Sequence, residues 1–230
     1  MHPAFAISCF LFCTAFCLTS CAPRHGQPYD YTAYRQRMPR SILVLPPLNK
    51  SPDVNATYSL LAHATMPLAE SGYYVFPVAL VDETFKQNGF TSAVDIQTIA
   101  PAKLREIFGA DAVLSITVTD YGASYRVVDS VVTVSAHAKL VDLETGNLLW
   151  QGSATASTAE EQNNSGGGLA GALVSAVINQ IVNNVTDSSH RIAGRTSERL
   201  LSAGIPNGIL YGPRSPRFGT DGFAAERGMR

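Results

Sequence analysis

Four cysteines, Cys9, Cys13, Cys17 and Cys21, stand four residues apart. On a helix that spacing lines thiols along one face, the arrangement of a thiolate metal site. Their surroundings point elsewhere, because the apolar run from Ala4 to Leu18 has the length of a signal-peptide core and is too short to span a bilayer. The histidines, His2, His25, His63, His137 and His190, fall into no spacing such as H-E-x-x-H, and no G-x-S-x-G elbow is present. Gly166-Gly167-Gly168-Leu169-Ala170-Gly171 matches G-x-G-x-x-G in form and opens an expected helix. A dinucleotide site needs that motif directly after a parallel strand. Here it follows a hairpin and a polar loop holding Glu160 and Glu161, which repel phosphate, so it reads as a hinge and a close-packing helix start. Metal, nucleotide and nucleophile readings all fail, and the chain is expected to be no enzyme and to use no cofactor or metal.

Leu18-Thr19-Ser20-Cys21 resembles the lipobox of bacterial lipoproteins. The resemblance implies cleavage before Cys21, a diacylglycerol on its sulfur and an acyl chain on its new amino group. Residues 1–20 are then a removed signal peptide, Cys21 is the lipidation site, and the mature chain holds no free thiol and no disulfide. Two or three acyl chains anchor stably, since each buried methylene contributes about 0.8 kcal/mol and one chain alone is marginal. Met1-His2-Pro3 departs from the pattern, with no Lys or Arg ahead of the apolar run. By resemblance to Gram-negative lipoproteins, in which Asp at this position marks inner-membrane retention, Ala22 implies the outer membrane.

Removing 20 residues leaves 210, enough for one well-buried domain with tails. Hydrophobic residues at 46% against 15% charged describe a folded chain rather than a disordered one. The net charge of −1 hides an uneven distribution: residues 21–40 sum to +3, residues 41–190 to −8 and residues 191–230 to +4. An acidic body with basic ends excludes nucleic-acid binding, which needs a basic face on the fold. The basic tether can lie on anionic headgroups or be a solvated linker.

Residues 21–40 mix Pro, Gly, Tyr and Arg without periodicity and read as a lipidated tether. Ser41 to Leu45 is a buried strand stopped by Pro46-Pro47. A helix follows with Ser51 as its cap and Pro52 at its first position, running to about Ala64, with Pro67 kinking or restarting it and Gly72 as a stop. Tyr73 to Phe76 is a second strand, and Val78 to Asn88 a helix closed by Gly89. Pro101 to Phe108 is another, with Leu104, Ile107 and Phe108 on one face. After a strand from Ala112 to Thr119, Val132, Val134, Ala136, Ala138 and Leu140 alternate with Thr133, Ser135, His137 and Lys139. This is a half-buried strand, returning through the turn 142–147 as Leu148 to Thr158. Trp150 reads as a core or edge anchor.

A polar, Gly-rich loop leads to a helix from Leu169 to Val185 and a polar amphipathic one from Ser189 to Ala203. Leu169, Leu173, Val177 and Ile181 recur every four residues among alanines. They either pack on the sheet or meet a neighbouring subunit, since small residues admit close backbone approach. From Gly204 the chain reads as an extended tail. The element order implies an α/β fold: a single-domain sandwich over residues 41–203, with a mixed β-sheet covered by helices.

Ile42-Leu43-Val44-Leu45-Pro46-Pro47-Leu48-Asn49, Gly72-Tyr73-Tyr74-Val75-Phe76-Pro77-Val78 and Asp111-Ala112-Val113-Leu114 resemble a family of uncharacterised Gram-negative lipoproteins, some of them surface antigens. The hairpin Val141-Asp142-Leu143-Glu144-Thr145-Gly146-Asn147-Leu148-Leu149-Trp150 is more distantly similar to the periplasmic domain of the curli secretion lipoprotein CsgG. The N-terminal domain of TolB has a similar architecture. The resemblance implies an anticodon-binding-domain-like fold used for partner contact: an outer-membrane lipoprotein that is a structural or accessory subunit of an envelope export or surface-assembly complex. The implied partners are the membrane and either copies of itself or other envelope lipoproteins. The alternative is a periplasmic module binding a small ligand or peptidoglycan.

Overall fold

The computed structural model describes residues 29–125, 130–160 and 178–221. Its elements in chain order are α1 (Thr32–Arg37), β1 (Ser41–Val44), β2 (Leu48–Asn49), α2 (Ala56–Glu70), β3 (Tyr74–Val75) and α3 (Val78–Gln87). There follow α4 (Ala93–Ile96), α5 (Pro101–Phe108), β4 (Ala112–Tyr125), β5 (Ser130–Asp142), β6 (Leu148–Ser157) and α6 (Ile178–Leu201). The six strands form one mixed sheet in the order β3-β1-β4-β5-β6, with β2 also beside β4. Helical crossovers carry β1 to β3 and β3 towards β4, so these strands run parallel to β1. Tight returns make β4–β5 and β5–β6 antiparallel. The expected mixed α/β sandwich is the observed fold.

The alternation of β1 divides the core. Ile42 and Val44 face α2 and α6 together with Ile116, Val118, Val134, Ala136, Ala138 and Leu140. Leu43 and Leu45 face the other way, into a smaller core with Val81, Phe85, Ile96 and Leu104 of α3, α4 and α5. Helix α2 buries Leu60, Leu61, Ala64 and Leu68, a stripe at helical spacing. Helix α6 answers with Ile192, Ala193, Thr196, Leu200 and Leu201. Thr196 keeps its buried hydroxyl paired by donating to the carbonyls of Val134 and Ile192 at 3.1 and 3.0 Å. On β6 a register shift between Leu148 and Trp150 sets Leu149 and Trp150 both inward, which simple alternation forbids.

Several expectations need correction. Residues 29–40 are no free tether: α1 forms there, and Tyr31 and Tyr34 are buried. Residues 204–221 are no free tail, since Ile209 and Leu210 enter the main core. Both segments lack periodicity because tyrosine hydroxyls and backbone groups, rather than an apolar stripe, attach them. Ser51 caps no helix. Asn49 Oδ1 accepts from its N–H at 2.8 Å and its hydroxyl at 2.7 Å, and α2 starts only at Ala56. Ile107 is 48% exposed, and only Leu104 of its expected trio is fully buried. The expected break between two final helices is absent, as α6 runs unbroken through Ser188 and Ser189.

Candidate functional site

On β4, β5 and β6, beyond the apolar Val113 and Val141, polar residues point away from α2 and α6: Ser115, Thr117 and Asp120, then Ser135, His137 and Lys139, then Gln151, Ser153 and Thr155. The antiparallel register sets them in rows. Lys139 lies between Ser115 and Gln151, and His137 between Thr117 and Ser153. Ser135 Oγ and Thr155 Oγ1 meet at 2.9 Å in the next row. Helices α3, α4 and α5 cover this side of the sheet only where Leu43, Leu45, Val113 and Leu143 lie. The rest is an open hollow of about 870 Å³, with Leu48 and Gln97 at one end and Tyr29 and Asn207 at the other. Its walls carry hydroxyls, amides, an imidazole, an ammonium group and the Arg199 guanidinium, and no carboxylate among the described residues. This surface can hydrogen-bond a polar partner across three strands, and Asp120, opposite Ser135 in the next row, adds a carboxylate beyond the hollow.

Beside that hollow the two ends of the described chain are fastened. The Tyr29 hydroxyl accepts the outward N–H of Gln151 on edge strand β6 at 3.1 Å, and the Tyr29 N–H donates to Asn207 Oδ1 at 3.1 Å. Trp150 Nε1 donates to the Asn207 carbonyl at 2.8 Å. Tyr31 donates to the Gly208 carbonyl at 2.5 Å. Tyr73 donates to the Leu210 carbonyl, so the 2.7 Å contact between the Tyr34 and Tyr73 hydroxyls is a donation by Tyr34. Burial pushes the Tyr31 phenol up to about 12 and those of Tyr34 and Tyr73 higher still. At Gly72, φ is +97° and a Cβ would lie 2.4 Å from the Ser215 nitrogen, so only glycine lets residues 212–215 lie this close.

The edge strand is closed further along. Arg199 donates to the Thr155 carbonyl at 2.8 Å and pairs with Glu160, and Glu160 accepts the Ser157 N–H at 3.2 Å. Side chains thus occupy the strand's outward groups at both ends and limit pairing with another chain.

A second juxtaposition joins α2 to α6. The His63 and His190 rings lie 4.3 Å apart, and Ser59 Oγ is 2.9 Å from His190 Nδ1. His63 Nε2 is buried without a hydrogen-bond partner, and burial together with the neighbouring His190 lowers its pKa. Sequence spacing gave no sign of this pair, since the two residues meet only through helix packing. Among the described residues no three His, Cys, Asp or Glu side chains are placed to hold a metal ion. Cys21, Leu169, Leu173, Val177 and the glycine-rich motif lie outside the described residues. Ile181 lies within α6.

Residues 29–214 match the family described as "Putative lipoprotein GNA1162-like". The chain belongs to this family. It is 55% identical over 197 residues to "Putative lipoprotein NMB1124/NMB1162" of Neisseria meningitidis serogroup B, covering 86% of this chain and 91% of that one. The crystal structure of lipoprotein GNA1162 from Neisseria meningitidis superposes with a TM-score of 0.51 at 60% identity, covering 63% of this chain and 99% of that one. The LpoB C-terminal domain of Salmonella enterica gives a TM-score of 0.34 at 21% identity over 51% of this chain and 82% of that domain. The expected membership in a family of Gram-negative lipoproteins is therefore established. Among the described residues no helix is long and apolar enough to cross a membrane.

Proposed function

We propose that this protein is a non-catalytic accessory subunit of an envelope export or surface-assembly complex, anchored in the outer membrane through acyl chains on Cys21. The open polar face of β4, β5 and β6 carries this reading. The sheet is buried by α2 and α6 on one side, and on the other it offers rows of hydroxyl, imidazole and ammonium groups with no helix over them among the described residues. Such a surface suits a polar protein partner, since about one hydrogen bond forms per 100–200 Å² of interface. The four-residue repeat of Leu169, Leu173, Val177 and Ile181 is a second contact on this reading. Cross-linking in intact envelopes through a photoreactive group at Ser153 tests it. A discrete adduct with a second copy or another envelope protein supports the proposal, and no adduct from this face opposes it.

The hollow between Gln97 and Asn207 favours a second reading, the binding of a small ligand or peptidoglycan fragment. Its lining of hydroxyls, His137, Lys139 and Gln151 can hydrogen-bond sugars or peptides. Retention on a cell-wall sacculus pellet, lost on Gln151→Ala with His137→Ala, separates this reading from the first.

A further inference from the structure

We propose that the face built by residues 38–40 and 211–218 rests on anionic phospholipid headgroups of the membrane that holds the lipid anchor. This rests on the reading of Cys21 as the anchor. Three arginines, Arg40, Arg214 and Arg217, are exposed there. Each lies close to the same short stretch of surface. Tyr74 donates its N–H to the Arg40 carbonyl at 3.0 Å, and the Arg214 guanidinium sits 5.4 Å from the centre of the Tyr74 ring. Arg217 sits 5.7 Å from the Tyr211 ring centre and donates to its hydroxyl at 3.0 Å. Aromatic rings thus hold two guanidiniums in place, and a guanidinium binds phosphate oxygens through paired N–H groups.

Exposed apolar side chains stand among these charges. Met38 is 44% exposed, Tyr74 41% and Phe218 39%. Met38, Pro39, Tyr211 and Phe218 border a common hollow of about 200 Å³, so the patch is continuous across the two segments. Cations beside shallow apolar groups suit the headgroup boundary, where charge meets anionic lipid and an apolar tip enters the acyl region. Asp221 also borders this hollow, half-buried and accepting the Tyr211 N–H at 2.5 Å, and it is the one carboxylate in that lining.

The point where the chain leaves for the anchor agrees. Tyr29 and Arg217 line one groove, and Cys21 is eight residues before Tyr29. A chain of that length reaches at most about 30 Å, so the anchor holds this side of the domain near the bilayer. Residues 41–190 sum to −8. An anionic surface repels that body and attracts the arginine face, which fixes the orientation of the domain.

The test uses residues 21–230 with Cys21→Ser, which keep every described residue and carry no acyl chain. Co-sedimentation is measured with phosphatidylcholine vesicles with and without phosphatidylglycerol, at low and high salt. Binding is expected only to the phosphatidylglycerol vesicles and only at low salt. Each arginine contributes about fivefold, so Arg40→Gln, Arg214→Gln and Arg217→Gln together weaken binding about 100-fold. Lys103→Gln with Arg105→Gln on α5 should leave it unchanged, and thermal melting confirms that both variants are folded. Equal binding to both vesicle types, or full binding by the triple variant, overturns the proposal. The anchor reading fails separately, if the Cys21→Ser chain stays in salt-washed envelopes.

Discussion

The Tyr34 hydroxyl donates to the Tyr73 hydroxyl at 2.7 Å, and the Tyr73 hydroxyl in turn donates to the Leu210 carbonyl. This buried relay ties α1, the entry to β3 and the C-terminal segment into one unit. Tyr73→Phe strands both the Leu210 carbonyl and the Tyr34 donor, and should cost about 1–3 kcal/mol. Tyr34→Phe leaves the bond to Leu210 intact and should cost less. Urea denaturation of the two variants checks the order, and equal costs would contradict the direction of the relay.

The same tyrosines predict a loss of stability in alkali. Burial raises the folded pKa of Tyr31 from 10.0 to about 12, and those of Tyr34 and Tyr73 further. The unfolded chain releases these protons first, so their contribution is complete below about pH 10 and is lost as pH rises through the folded values. Melting temperature should therefore fall steeply from about pH 10 to pH 12. Tyr34→Phe with Tyr73→Phe should flatten that fall.

In acid the sign reverses at His63. Burial and His190 lower its folded pKa below the ordinary imidazole value of 6.5. The unfolded chain then binds the proton more readily, so stability is complete above the unfolded pKa and lost as pH falls through the folded one. His63→Gln should give a flatter stability profile between about pH 7 and pH 5. An unchanged profile would contradict the placement of the ring.

Gly152 tests the packing of β6. A Cβ there would lie 2.3 Å from Trp150 Cζ2, a ring buried to 1% exposure. Gly152→Ala should destabilise by about 1–3 kcal/mol and shift the fluorescence of the single tryptophan. Unaltered emission would show that the ring does not lie over this glycine.

What the sequence made legible follows from local physics. Alternation from Val132 to Leu140 located β5 and its buried side, and Pro101 with Gly109 bracketed α5 at both ends. The same alternation identified Ser135, His137 and Lys139 as polar-face residues, the middle strand of the open surface. Residues 29–40 and 204–221 were not legible because partners more than a hundred residues away hold them, Tyr29 to Gln151 and Tyr73 to Leu210 among them. The His63–His190 contact was hidden for the same reason. Ser51-Pro52-Asp53 looked like a helix start, but Asn49 had already claimed the Ser51 hydroxyl.

Native mass shows whether the protein is an assembly subunit that uses its open sheet face. The protein is extracted from envelopes in mild detergent and compared with Ser153→Arg, a change at an exposed position. The native protein should run as a homo-oligomer or a reproducible complex with other envelope proteins, and Ser153→Arg as a folded monomer. A native protein that is a clean monomer without partners, or a complex that survives Ser153→Arg unchanged, would contradict that role.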